Sequence, residues 1–364
     1  MKLTVLHTES SLGWGGQENR TLNEMIAMRE RGHRLVALTQ PGAKLAGRAS
    51  EAGFEIREVR MRNAVDLAAI ARIRRVIQDV GAHVVNTHSG RDTQVAGLAA
   101  RSLFGARPRI VRTRHLALPI TSRFTYSVLP DHVVTVSRFV EDYLVSAGVP
   151  GDRITTVLTG IDLTKYDPAR PERPLRDELQ LPAGAPLVGT VAILRRKKGH
   201  AELLEAIPAV AARFPEAHFV FAGNGPQHEN LERRIAELGL ADRVHLLGLR
   251  RDVIDILRSL DLFVLPTHQE ALGTAFVEAG AMQLATVATN VDGVPEVVVD
   301  GETGLLVPPL QSPPLAEAIA TLLGDPERRQ AMGVAARQRV CRSFSREAMA
   351  AGMEALYLSL LDKR

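Results

Sequence analysis

Along its first half the chain repeats one pattern: a short, nearly unbroken apolar run, a polar turn, then a longer stretch with apolar positions three and four apart. LTVLH, RLVALT, FEIREV, HVVNTH, RIVRTR and HVVTVS are the apolar runs. Runs without polar alternation read as strands covered on both faces, and the helically spaced stretches between them read as crossovers, so the pattern predicts a parallel sheet with helices on both sides. A loop to Asn19 is expected before an amphipathic helix from Arg20 to Arg31. A second helix is expected from Asp66 to Val80, where Ile70, Ile73, Ile77 and Val80 form the buried stripe and Arg72, Arg74 and Arg75 lie on the remaining surface.

Residues 165–186 interrupt the alternation with five prolines among many charges, a density that disfavours regular structure. PLVGTVAIL, HFVFAG, RVHLLG, LFVLP and TVATN then restart it. The division expected is a first domain over 1–168, a linker over 169–186 and a second domain over 187–345. A final helix from about 346 to 364 carries Met349, Met353, Leu356 and Leu360 at helical spacing. A length of 364 residues suits two such domains. Aliphatic cores are implied by 45% hydrophobic residues with only 4% aromatics.

Charge adds an asymmetry. Residues 1–168 hold 23 Lys and Arg against 16 Asp and Glu, and the remainder holds 22 against 25. No acid occurs between Asp92 and Asp131, where Arg101, Arg107, Arg109, Arg112, Arg114 and Arg123 fall. Two readings stay open: arginines that are merely solvated, or a face that attracts anionic lipid headgroups or a phosphorylated glycan. Nucleic acid is disfavoured, because no aromatic-interleaved basic stripe accompanies the charge. Cys341 is the single cysteine, which excludes an intrachain disulfide. The N-terminal apolar run is too short for a secretory signal, and no long apolar stretch could span a bilayer. A cytoplasmic protein is expected, with a peripheral position at the inner face of the cell membrane as the basic half's consequence.

Candidate chemistry concentrates in THQEALGTAFVEAG. A buried strand (Leu260 to Pro266) hands over through a glycine turn to a helix from Thr274 to Met282. Glu270 then lies on the loop and Glu278 about one turn into the helix, placed to grip two parts of a polyhydroxylated ligand, while free N–H groups around Gly273 and Thr274 accept an anion. Lys198, between a strand and the helix opening near Gly199, suits a departing diphosphate. Gly223 and Gly225 in FAGNGP form a turn able to meet a base or ribose. His88 and His115 end two predicted strands, either to exchange hydrogen bonds with a sugar or acceptor hydroxyl or as satisfied structural histidines. His7, at the end of the first strand, is a weaker candidate of the same kind. The glycine loop SSLGWGGQENR is not a dinucleotide fingerprint, since Glu18 stands where the third glycine belongs and RLVALTQ lacks the terminal acid. No Asp-x-Asp or metal-ligand cluster occurs, so no metal or other cofactor is expected.

These motifs in this order, with VTVSRFVEDYLVSAGVPGDRITTVLTGID, KKGH and DGETGLLVPP, resemble the retaining glycosyltransferases of family 4, which carry a Glu-x7-Glu motif. The resemblance covers nearly the whole chain. It implies the GT-B fold, two Rossmann-like α/β domains with parallel sheets facing a central cleft, the final helix packing back on the first domain. It implies transfer of a sugar from a nucleotide-sugar donor to a glycan or lipid-linked acceptor, as in cell-surface polysaccharide or lipopolysaccharide synthesis, with Glu270, Lys198 and His115 catalytic. Glu278 would take the ribose diol, Gly15 and Gly16 would approach the diphosphate or sugar, and His88 and Arg114 would contact acceptor or sugar. The family's usual arginine five residues before the lysine is Ile193 here, so Arg195 is assigned to the diphosphate, with Arg196 as its alternate. A nucleotide-sugar epimerase of the same architecture and a non-catalytic sugar-binding relative are the competing readings.

Overall fold

A computed structural model describes residues 1–105, 107–116, 118–170, 172 and 174–362. The chain divides into two compact units. One comprises Met1–Ile161 and the chain from Phe344 onward; the other is Asp162–Ser343.

The first unit is built on seven parallel strands: β1 (Thr4–Glu9), β2 (Arg34–Thr39), β3 (Glu55–Glu58), β4 (Val84–Thr87), β5 (Arg109–Arg114), β6 (His132–Thr135) and β7 (Ile154–Thr156), in the order β3-β2-β1-β4-β5-β6-β7. Its helices are α1 (Gly16–Glu30), α2 (Lys44–Glu51), α3 (Leu67–Val80), α4 (Gly90–Arg101) and α5 (Arg138–Ser146). Successive strand residues point to opposite faces, which explains the unbroken apolar runs. Val5, Val84, Val111 and Val134 pack with Met25 and Met28 of α1 on one face. On the other, Leu6, Val85 and Ile110 meet Ile73 and Ile77 of α3 and Val95 and Ala99 of α4. Helix α1 begins four residues before the expected Arg20, because the Glu18 carboxylate accepts the Gly15 N–H at 2.8 Å and secures the first turn.

Residues 169–186 are not a free linker. They belong to the second unit, where α6 (Pro174–Glu178) buries Leu175 and is tied down by Arg176, which bonds Ser259 O at 3.1 Å, Ala185 O at 2.7 Å and the Asp261 carboxylate. One buried leucine and one arginine bridge outweigh the proline density. Part of the stretch, Pro171 and Arg173, lies outside the described residues.

The second unit's sheet holds β8 (Leu187–Val191), β9 (His218–Ala222), β10 (Val244–Gly248), β11 (Leu262–Leu265), β12 (Thr286–Thr289) and β13 (Gly304–Val307), all parallel, in the order β10-β9-β8-β11-β12-β13. Around it lie α7 (His200–Arg213), α8 (His228–Glu237), α9 (Val253–Ser259), α10 (Thr274–Ala281), α11 (Ser312–Gly324) and α12 (Pro326–Ser343). Leu203, Leu204 and Ile207 of α7 and Ile319 and Leu322 of α11 cover Phe219, Phe221, Leu262 and Val264. The last helix, α13 (Arg346–Asp362), returns to the first unit, where Met349, Met353 and Tyr357 join the core beside α1.

Candidate functional site

In the second unit the chain runs outward from β8 to β10, then jumps back to β11 on the other side of β8. The loops leaving the carboxyl ends of β8 and β11 therefore lie at the switch point of strand order, the position where parallel α/β sheets bind ligands. A tight turn, Arg196–Lys198, follows β8, and Gly199 (φ +73°) passes so close to the β11 loop that a Cβ there would lie 1.9 Å from Pro266 O. Lys197 O accepts His268 N at 2.7 Å and the Thr267 hydroxyl at 2.9 Å, locking the two loops together. Lys198 and Glu270 consequently meet in an ion pair, their side chains 14% and 19% exposed. Asp292 holds Glu270 from behind by accepting its N–H at 2.9 Å.

Two helices begin here. Gly199 opens α7 and Gly273 (φ +91°) opens α10 at Thr274, and neither end has a side-chain cap. Their first-turn N–H groups and the Lys198 ammonium are donors of the kind that can hold an anion. Glu278 sits on the second turn of α10, half-buried, with its carboxyl crowded by protein. Burial raises its pKa to about 7, against a hydrogen bond from the Tyr166 hydroxyl that lowers it. His200 is buried with both ring nitrogens unpaired among the described residues, and burial, aided by Lys198, lowers its pKa to about 4.

Gly223 and Gly225 lie beside this switch point for a structural reason: a Cβ on either would strike Ala192 O at 1.9 Å or Leu194 O at 2.5 Å, and Gln227 N bonds Leu194 O at 3.0 Å. Arg195 extends from the same loop, exposed and without a side-chain hydrogen bond among the described residues. Sequence reasoning missed Tyr166 and Asp292. Tyr166 lay in what read as the approach to a linker; the NVDG turn that carries Asp292 was the one available signal.

In the first unit the strand order reverses between β1 and β4. Glu9, at the end of β1, accepts Ser11 N at 2.8 Å and the Gln17 amide, which orders the glycine loop around Gly15 and Gly16; burial and the neighbouring Asp92 raise its pKa to about 8. His7 lies within β1, two residues before its end, and His88 and His115 directly follow β4 and β5, so adjacent strands bring them into one row. His7 Nδ1 lies 3.0 Å from His88 Nε2, and His88 Nδ1 lies 3.0 Å from His115 Nε2. Burial lowers all three pKa values, those of His88 and His115 well below the ordinary range. Both nitrogens of His88 are engaged by histidines, the arrangement that a satisfied structural histidine would have. His115 keeps Nδ1 free of any partner among the described residues.

Next to His115 lies a cavity of about 510 Å³, lined by Arg62, Arg91, Arg112 and Arg114, by the first residue of α4, Gly90, and by an apolar wall that includes Leu116, Leu118 and Ile120. Three of its arginines bond carbonyl oxygens, and among the described residues none bonds a carboxylate through its guanidinium: Arg112 to Thr125 O at 3.1 Å, Arg91 to Met61 O at 3.4 Å, Arg114 to Leu116 O at 2.9 Å and to Leu118 O. Arg112 is 4% exposed, its guanidinium 3.7 Å over the Tyr126 ring. Arg114 thus ties the carbonyls of Leu116 and Leu118 to the end of β5. Much of the remaining basic run is spent internally, since Arg101 and Arg107 both pair with Asp131 and Arg123 bonds Gly148 O. A second cavity, about 560 Å³, sits at the amino ends of β11 and β12 around Asp261 and Ala285, away from Lys198 and holding none of the sequence candidates.

Two family models match the chain: Glycosyltransferase Family 4 over residues 14–165 and Glycosyl transferases group 1 over 172–339. A GDP-mannose-dependent alpha-(1-6)-phosphatidylinositol monomannoside mannosyltransferase from Mycobacterium tuberculosis is 30% identical, covering 77% of this chain and 77% of that protein. Two further curated relatives are matched over a smaller share, less than two thirds of their own length. The alpha-D-kanosaminyltransferase of Streptomyces kanamyceticus is 38% identical over 40% of this chain and 39% of its own length, and the alpha-maltose-1-phosphate synthase of Mycolicibacterium smegmatis is 34% identical over 59% of each. Among solved structures, a glycosyltransferase from Rickettsia africae superposes with a TM-score of 0.91 at 23% identity over 100% of both chains. Anabaena HepE, solved in complex with UDP and glucose, gives 0.85 at 20% identity over 98% of this chain and 100% of that one. The fold is accordingly GT-B.

Proposed function

Because the chain belongs to the glycosyltransferases of family 4, we propose that it transfers a sugar, with retention and without a metal, from a nucleotide-sugar donor held by the second unit to an acceptor recognised by the first. The Lys198–Glu270 pair at the β8/β11 switch point, flanked by two uncapped helix N-termini, is the observation that carries this reading. A leaving diphosphate gains negative charge as its bond to the sugar breaks, and a fixed ammonium beside free backbone N–H groups stabilises that charge without reorganising. Glu270, already held by Asp292, faces the sugar hydroxyls once the diphosphate draws Lys198 away. Glu278 takes both ribose hydroxyls, as a carboxylate with two acceptor oxygens does.

For the acceptor, the arginine-lined cavity beside His115 supports a glycan or lipid-linked molecule bearing an anionic group next to an apolar portion, such as an intermediate of cell-surface polysaccharide or lipopolysaccharide synthesis. Among the described residues no carboxylate hydrogen-bonds to the four guanidiniums, and Asp66 and Asp92 act only at longer range on Arg62 and Arg112, so the lining is net positive; the leucines supply the apolar wall.

A thermal-shift screen over nucleoside diphosphates and their sugars tests the donor site. A ligand at a hundred times its Kd stabilises the folded state by about 2.7 kcal/mol, and the Glu278→Ala variant should lose most of that shift. No shift with any nucleotide would reject the donor site. Donor turnover that proceeds equally well without an acceptor or water as sugar recipient would reject transfer.

A further inference from the structure

The row of histidines in the first unit has an orientation. Each neutral imidazole carries one proton, so one side of every ring donates and the other accepts. Two contacts, His115 Nε2 to His88 Nδ1 and His88 Nε2 to His7 Nδ1, leave only two consistent orders. In one, every Nε2 carries the proton and His115 Nδ1 is a bare lone pair. In the other, every Nδ1 carries it and His115 presents an N–H.

The far end of the row selects between them. His7 is buried, and its Nε2 has no hydrogen-bond partner among the described residues. At 3.9 Å it faces Glu24 Oε1, a carboxylate oxygen that accepts the Tyr357 hydroxyl at 2.8 Å and the Asn86 amide at 3.3 Å, while Oε2 pairs with Arg20 at 2.8 Å. A lone pair pointing at that carboxylate is repelled; an N–H is attracted. Arg20 opposes this preference, but at His7 its field is the weaker of the two. Burial keeps all three rings neutral, as the row requires.

We propose that Glu24, through His7 and His88, fixes the tautomer of His115 so that its Nδ1 is a hydrogen-bond acceptor for the attacking hydroxyl of the sugar acceptor. His7, His88 and Glu24 are then positioning residues and His115 the catalytic one. As the hydroxyl oxygen bonds to the anomeric carbon, the bond from that carbon to the diphosphate oxygen breaks and the diphosphate leaves with the electron pair. The hydroxyl proton passes to His115 Nδ1 and from there to solvent, and no proton needs to move between the rings of the row. The proposal rests on the glycosyl-transfer reading for its use, but the tautomer stands or falls by itself.

The test is nitrogen-15 NMR of the histidine rings in the full chain, where a bare ring nitrogen resonates far downfield of a protonated one. Wild type should show His115 protonated at Nε2 only. His88→Phe keeps a ring in the stack and cuts the relay, so His115 should become a mixture of tautomers. Glu24→Gln should do the same without touching a histidine; where loss of the Arg20 partner prevents folding, His7→Phe replaces it. With a nucleotide sugar that the wild type turns over, His88→Phe should lower kcat by about tenfold or more and leave the donor KM unchanged, a split that general loosening of the fold would not give. A protonated Nδ1 on His115 in wild type, or wild-type kcat in His88→Phe, overturns the proposal. If instead no nucleotide sugar is turned over by wild type while the tautomer is as stated, the functional reading fails and the relay remains.

Discussion

Glu278 should make donor binding fall with acidity in a range where carboxylates are normally indifferent. Its carboxyl is lifted to about 7 by burial, and ribose recognition requires the ionised form. The apparent Kd scales with the inverse of the ionised fraction, so affinity at pH 6 should be about tenfold weaker than at pH 8, and at pH 5.5 about thirtyfold weaker. A nucleotide sugar is the right probe, because its pyrophosphate diester has no proton to gain in this interval. Calorimetric titration from pH 5.5 to 8.5 gives the curve. Glu278→Gln should flatten it, at an affinity lower by about 1 to 3 kcal/mol than wild type at pH 8. Tyr166→Phe removes a hydrogen bond that favours the ionised carboxylate, so its midpoint should move to higher pH. Stability provides an independent reading. The fold raises this pKa, so the associated stability is full below pH 4.5, the group's ordinary value, and is lost as pH rises through 7. That loss corresponds to about 3 kcal/mol. Glu278→Gln should therefore melt higher than wild type at pH 8 and near the same temperature at pH 4.5. A wild-type affinity flat across the interval, or a variant no more stable at pH 8, would refute the account of Glu278.

Lys198→Ala should lower turnover by about 100-fold or more if the ammonium stabilises the leaving diphosphate; near-normal kcat would move that role to Arg195 or Arg196, which extend from the same turn. Activity should survive EDTA, since the chain has no Asp-x-Asp and the described residues hold no group of three metal-ligating side chains; a loss restored by magnesium or manganese contradicts this. Binding to anionic vesicles should be weak and fade with salt over a screening length of about 10 Å at 0.1 M, and Arg72, Arg74 and Arg75 replaced together by Ser should remove it; no preference over neutral vesicles at low salt would end the membrane reading. Gly199→Ala, at φ +73° with a Cβ 1.9 Å from Pro266 O, should destabilise the second unit by about 2 to 4 kcal/mol, measured by denaturant unfolding.

The chain's own order determined the layers. Unbroken apolar runs such as HVVTVS and LFVLP are strands because a parallel sheet is covered on both faces, and helical spacing such as Ile73, Ile77 and Val80 is read locally; both signals lie within a few residues of one another. Glu270 and Glu278 were legible for the same reason, sharing one strand-to-helix passage. What required the tertiary structure was every pairing across the sheets. Lys198 meets Glu270 across 72 positions because strand order reverses between β8 and β11, and nothing local encodes which strands become neighbours. Tyr166 reaches Glu278 from the edge of a proline-rich stretch whose composition disfavoured regular structure, since what such a stretch packs against is not encoded locally. The three histidines looked like separate strand ends. Only their adjacency on β1, β4 and β5 made them one row, and only a glutamate on α1 gave that row a direction.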